Sequence, residues 1–107
     1  MNRPTTKEAV LQTLRRVFPS LREKYGVERL AIYGSFAKGS QGETSDIDIL
    51  VELSRPLGFG FIRLAADLEA ALRRPVDLAT FDSLKRSAAA PHRAHIARDI
   101  ERTLVDV

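Results

Sequence analysis

The sequence contains no cysteine, so disulfide frameworks, thiolate metal sites and a cysteine nucleophile are all excluded. It also lacks any apolar run close to the ~18 residues of a membrane-spanning helix. Its first residues, MNRPTTKEAV, do not form the apolar stretch of a signal peptide. The expected compartment is therefore the cytoplasm, and no membrane partner is expected.

A strong charge of either sign is absent as well. The 17 Lys and Arg residues exceed the 14 Asp and Glu residues by enough for a formal charge of only +3. This bias is compatible with a polyphosphate or an RNA, but nucleic acid is not required by it. With 107 residues, of which 44% are hydrophobic, the chain is predicted to form one domain, residues 1–107.

The N-terminal part of the chain has a helical pattern. Thr5, followed three residues later by Glu8, matches a capping box, and apolar residues then recur at helical spacing. Pro19 lacks the amide proton that a helix interior needs, so we expect a break there. A short second helix then ends near Tyr25, with Gly26 as its C-terminal cap.

The rest of the chain alternates between strand and helix patterns. The clearest strand is 46–53, in which apolar and other residues alternate with a period of two. The other predicted elements are a strand at 29–33, one helical turn at 35–38, a helix at 61–72, a strand at 76–80 and a closing helix after Pro91 that includes Ile96, Ile100 and Leu104. This order predicts an α/β (α+β) fold, a small mixed sheet with helices packed on one face.

Asp46-Ile47-Asp48 is the most informative local pattern. Two carboxylates at positions i and i+2 of a strand point to the same face, roughly 6 to 7 Å apart at the backbone, and can converge on divalent cations. Oxygen ligands of this kind select Mg²⁺ or Mn²⁺. The alternative is a pair of aspartates on the solvated face of a sheet, where alternating polar residues are common.

A Gly-Ser step precedes this pair. Gly34 and Ser35 follow the strand at 29–33, and ten residues separate Ser35 from Asp46. The missing side chain of Gly34 allows a phosphate close to the backbone, although an ordinary turn glycine is the alternative. Two common phosphate motifs are excluded, since Ser40 and Gln41 replace the Lys and Ser/Thr of a P-loop, and Arg63 replaces the third glycine of a dinucleotide fingerprint.

The segments GSFAKG, SDIDILVEL and PVDLAT together resemble the minimal nucleotidyltransferase (MNT) domain of the DNA polymerase beta superfamily. The signature of that domain is Gly-Ser, a loop, Asp-x-Asp and a third acidic residue on a later strand. The resemblance implies a nucleotidyltransferase fold. It also implies that Asp46 and Asp48 bind the metals and that Asp77 is the third carboxylate, so that all three are catalytic and metal-binding residues.

The resemblance further implies that Gly34 and Ser35 hold the nucleoside triphosphate. Lys38 lies where relatives often have arginine, and a lysine keeps the charge there but loses the bidentate phosphate contact. The residues alone support the third carboxylate, because Asp77 faces opposite to its apolar neighbours Val76 and Leu78 in the predicted strand.

The activity implied is transfer of AMP from ATP, with two Mg²⁺ ions, to a hydroxyl of an acceptor. Stand-alone domains of this kind are typically paired with a HEPN-domain ribonuclease toxin, so the resemblance implies an antitoxin that adds AMP to a tyrosine of that partner. Two alternatives stay open. The chain could neutralise its partner by occlusion without transfer, or modify a small molecule or an RNA with the help of a separate substrate-binding subunit.

Overall fold

The structure is a computed structural model that describes residues 6–39, 46–89, 100 and 102–107. The described strands form one four-stranded sheet in the order β3-β2-β1-β4, in which β2 runs antiparallel to β1 and parallel to β3, and β4 runs antiparallel to β1. In chain order the elements are α1 (Lys7–Tyr25), β1 (Val27–Tyr33), α2 (Gly34–Lys38), β2 (Ile47–Leu53), α3 (Gly60–Leu72), β3 (Val76–Thr80), α4 (Phe81–Ala89) and β4 (Val105–Asp106). This mixed sheet with its helices confirms the predicted fold class.

The N-cap of helix α1 lies one residue later than predicted. Thr6 is the N-cap, and its hydroxyl accepts a hydrogen bond from the backbone N–H of Ala9 at 3.1 Å. The capping box predicted at Thr5 and Glu8 is therefore wrong. The predicted C-cap is confirmed, because Gly26 adopts the left-handed conformation (φ 72°) and donates its N–H to the carbonyl of Arg22.

Helix α1 also continues through Pro19, where the sequence predicts a break. The proline removes one hydrogen bond to the carbonyl of Arg15. Both residues are exposed, so water can reach that carbonyl. Leu14 and Leu21 are buried on either side of the proline, and their burial holds the two halves of α1 against the same core as one helix.

Two apolar clusters cover the two faces of the sheet. The main core packs α1, α2 and α3 against one face, with Ile47, Ile49 and Val51 of β2 at its centre. Leu50 points the other way and belongs to a second cluster with Ala31 of β1 and Phe81 and Leu84 of α4. Helices pack on the main face as predicted, and α4, which the sequence pattern did not indicate, covers part of the second face.

The closing helix predicted after Pro91 falls largely on residues 91–99 and 101, which lie outside the described residues. Residues 100, 102 and 103, which are described, are helical as predicted. Beyond them Val105 and Asp106 pair with β1 as β4, a strand that the sequence pattern did not indicate. Asp106 also accepts two hydrogen bonds from the guanidinium of Arg29, at 2.7 and 3.0 Å. Sheet pairing and this ion pair therefore hold the last residues against β1.

Among the described residues, no helix combines the length and the apolar character needed to cross a membrane.

Candidate active site

The register of the sheet brings three polar side chains into one row across its second face. Tyr33, the last residue of β1, pairs with Asp48 of β2, and Asp48 pairs in turn with Asp77 of β3. Residues paired across strands point to the same face, and neighbouring strands are about 4.8 Å apart, so the row is about 10 Å long at the backbone. We call Tyr33, Asp48 and Asp77 the polar row.

Asp48 is the central and most perturbed carboxylate of this row. It is half-buried, and burial raises the pKa of its carboxyl above the ordinary value, an effect strengthened by the negative charges of Asp77 and Asp46. Asp46 is exposed and immediately precedes β2. The structure thus brings the three predicted carboxylates close enough for their charges to interact, and a cation among them would relieve the repulsion.

Gly34 lies directly against Asp48. Its backbone is left-handed (φ 73°), and a Cβ atom added to it would overlap the Oδ2 atom of Asp48. Only glycine allows both this conformation and this approach without strain. The Gly-Ser step therefore begins at the carboxylates, as expected for a site that places phosphate groups and metal ligands together.

Ser35 and Lys38 both belong to α2, the short helix that begins at Gly34. Their predicted contacts with a nucleotide stay predictions. Phe36 of the same helix is fully buried in the main core, and this anchors α2 beside the polar row.

Tyr33 is a member of the polar row that sequence reasoning missed. Burial raises the pKa of its hydroxyl to about 12, and the charges of Asp48 and Asp77 act in the same direction. The alternation of β1 places Tyr33 and Ala31 on one face of the sheet. Only the register with β2 brings the carboxylate of Asp48 beside Tyr33 on that face. The sequence signal was its position next to Gly34.

The donor set fits Mg²⁺. Within the described part of the chain, no group of three or more His, Cys, Asp or Glu side chains is arranged to hold a metal ion by itself. Mg²⁺ characteristically takes one or two carboxylates together with substrate phosphates. The all-oxygen donors of Asp46, Asp48 and Asp77, and the side-chain-free approach at Gly34, match that mode of binding.

A cleft of about 390 Å³ opens elsewhere, at the C-terminal ends of β2 and β3. Its lining includes Ser54, Arg55, Lys85 and Arg86, whereas Asp48 and the other acidic residues of the site lie at the N-terminal ends of the same strands. The cleft and the predicted site are therefore separate.

Comparisons with known proteins show the family of this chain. The family model described as "Nucleotidyltransferase domain" matches residues 14–106. A provisionally named protein adenylyltransferase of Methanocaldococcus jannaschii is 36% identical over 101 residues, which cover 94% of this chain and 96% of the relative.

Solved structures share the fold. A provisionally named minimal nucleotidyltransferase is 28% identical, with a TM-score of 0.67 over 96% of this chain and 97% of its own. A chain in the complex of a tri-AMPylated Shewanella oneidensis HEPN toxin with an MNT antitoxin is 22% identical, with a TM-score of 0.53 over 78% of this chain and 67% of its own. The resemblance noted in the sequence is thus confirmed, and the chain belongs to the nucleotidyltransferase domain family.

Proposed function

We propose that this chain transfers AMP from ATP to a tyrosine hydroxyl of a HEPN-domain ribonuclease toxin and so acts as its antitoxin. The observation that carries the proposal is the meeting of Asp48, Asp77 and Gly34 at one end of the sheet. The protein adenylyltransferase name of the Methanocaldococcus relative supports AMP as the group transferred. The HEPN partner is supported by the complex of an AMPylated HEPN toxin with an MNT antitoxin, whose chain shares this fold.

In this proposal Asp46 and Asp48 hold two Mg²⁺ ions, with Asp77 as a further ligand on the acceptor side. When bound, Mg²⁺ supplies charge neutralisation at the α-phosphate and at the departing pyrophosphate. Gly34 and Ser35 hold the triphosphate, and Lys38 adds a positive charge beside it.

The chemical step is a displacement at the α-phosphorus of ATP. The acceptor oxygen forms a bond to phosphorus, the bond to the pyrophosphate oxygen breaks, and the hydroxyl proton passes to the carboxylate of Asp77 and then to water. Because the protein forms no covalent bond to the substrate, catalysis consists of positioning and charge stabilisation. ATP is a cytoplasmic substrate, so we place the reaction in the cytoplasm.

The test is incubation of the chain with Mg²⁺, ATP and the protein encoded by the adjacent reading frame, followed by mass spectrometry of both proteins. The partner should gain the mass of one or more AMP units on a tyrosine, and EDTA should stop the gain. Asp46→Asn, Asp48→Asn and Asp77→Asn should each lower transfer by orders of magnitude, because the substitutions keep the shape but remove an anionic oxygen. Asp82→Asn, an exposed aspartate of α4 outside the polar row, is the matched control.

Partner inhibition is measured in parallel on the same variants. Full inhibition by all three aspartate variants, with no added mass on the partner, would replace the proposal with neutralisation by occlusion. An unmodified partner together with AMP on an RNA or a small molecule would instead support a nucleotidyltransferase that acts with a separate substrate-binding subunit.

A further inference from the structure

Tyr33 is the member of the polar row to which the proposed function gives no task. We propose that it is a substrate-positioning residue whose phenol O–H donates a hydrogen bond to a phosphate oxygen of the bound nucleoside triphosphate. The inference rests on the proposed function for the identity of the ligand.

Tyr33 lies beside the carboxylate that forms the centre of the polar row. Tyr33 pairs in register with Asp48, so their side chains leave the sheet side by side, with Cβ atoms about 5 Å apart. The next residue, Gly34, lies against the same carboxylate. A phosphate bound beside Asp48 and the Gly34 backbone is therefore flanked by the Tyr33 side chain.

The ring of Tyr33 is held by packing, whereas its hydroxyl makes no hydrogen bond within the described residues. The ring packs against the second apolar cluster, beside Ala31 and Leu50 of the sheet and Phe81 and Leu84 of α4. Within residues 6–39, 46–89, 100 and 102–107, the hydroxyl has no hydrogen-bond partner. A donor whose position is fixed by packing costs little further conformational entropy when a ligand binds.

The phenol of Tyr33 is chemically complementary to a phosphate chain. Ionised Asp48 and Asp77 only accept hydrogen bonds, whereas the neutral phenol of Tyr33 can donate one. A triphosphate coordinated to metal ions at the carboxylates is rich in acceptor oxygens and has no donor of its own. Hydrogen bonds to ionised acceptors are shorter and stronger than those between neutral groups, so this O–H favours the phosphate chain over a neutral base or ribose.

The experiment compares Tyr33→Phe with the parent protein by calorimetry, using Mg²⁺ with AMP-PNP and Mg²⁺ with inorganic tripolyphosphate. The dissociation constants of both probes should rise at least about tenfold, the lower end of the loss for a hydrogen bond to a charged group. In the transfer assay the KM for ATP should rise by the same factor, with kcat unchanged within about twofold. The melting temperature of the ligand-free protein should hardly change, because the ring stays in place.

Tyr25→Phe is the matched control. Its hydroxyl donates to Asp67, which links α1 to α3 away from the polar row, so its loss should leave both dissociation constants as they are. Three outcomes would overturn the inference: unchanged affinities in Tyr33→Phe, weaker binding of AMP-PNP but not of tripolyphosphate, or a lower kcat with unchanged KM. If Tyr33→Phe itself melts at a lower temperature than the parent, the tripolyphosphate affinities of Tyr33→Leu and Tyr33→Phe are compared at a low temperature. Loss of the hydroxyl alone predicts equal affinities for the two variants, and unequal affinities would contradict the inference.

Failure of this inference and failure of the proposed function can be told apart. If the parent binds both probes and Tyr33→Phe binds them weakly, the inference holds even when no AMP reaches a HEPN partner. If the parent modifies its partner and Tyr33→Phe does so with the same KM, the proposed function stands and the role of Tyr33 falls.

Discussion

Substitution of Gly34 by alanine tests the geometry of the site most directly. A non-glycine residue in the left-handed region costs about 1–2 kcal/mol. At this position the new Cβ also overlaps the Oδ2 atom of Asp48, and relieving such overpacking typically costs about 1–3 kcal/mol more. The carboxylate must move, so the substitution should damage both stability and nucleotide binding.

Gly58→Ala provides the matched control. Gly58 also has a positive φ (55°), but a Cβ added there meets nothing within 4 Å. It should therefore lose only the conformational part, about 1–2 kcal/mol. For a domain of about 100 residues, each 1 kcal/mol corresponds to about 4–8 °C in melting temperature. Gly34→Ala should melt several degrees below Gly58→Ala, and it alone should lose affinity for Mg²⁺ with AMP-PNP.

A second background isolates the clash. In an Asp48→Ala protein the overlapping carboxylate is gone, so adding Gly34→Ala should cost no more than Gly58→Ala costs in the same background. The measurements are thermal unfolding by circular dichroism and nucleotide affinity by calorimetry. Equal melting temperatures and equal affinities for Gly34→Ala and Gly58→Ala would refute the close approach between the turn and the carboxylate.

Three further outcomes are expected. The pKa of Asp48 is raised above its unfolded value of 3.8, so its charge destabilises the folded state at neutral pH. In EDTA, Asp48→Asn should therefore raise the melting temperature at pH 7. This gain should vanish as the pH falls below 3.8, where the carboxyl is protonated in both states. Pro19→Ala should stabilise α1 by about 1–3 kcal/mol in urea unfolding, because it restores a backbone hydrogen bond, and a loss of stability would contradict a continuous helix. Arg29→Ala removes the exposed ion pair with Asp106 and the stacking on Phe81, whose ring centroid is 4.2 Å from the guanidinium; it should cost more than the ~1 kcal/mol typical of a surface pair alone, and a smaller loss would mean that the stacking contributes nothing.

Local patterns explain which parts of the site the sequence could predict. The spacing of Asp46 and Asp48 predicts that both point to one face, because successive side chains of a strand point to opposite faces. The role of Gly34 as a position of close approach could be predicted because this glycine follows a strand and precedes a polar loop. These features depend on a few neighbouring residues, and the structure brings them together at one end of β2.

Features that depend on contacts between distant parts of the chain could not be predicted from the sequence. Tyr33 joins the polar row only through the register of β1 with β2, which no local pattern fixes. Val105 and Asp106 form a strand because the edge of β1 is available to them. The helix at Pro19 survives because the burial of Leu14 and Leu21 outweighs one missing hydrogen bond. In each case a non-local contact overrides the local preference.

The site depends on the sheet for more than its position. Because β1 runs antiparallel to β2, and β2 parallel to β3, the C-terminal end of β1 meets the N-terminal ends of the other two strands. Gly34 therefore leaves the sheet where Asp48 and Asp77 enter it. Side chains alternate along a strand, so a slip of β2 by one residue would turn Asp48 into the main core and expose Ile49. The burial of that isoleucine thus holds the carboxylate on the second face, and the apolar core selects the register on which the polar row depends.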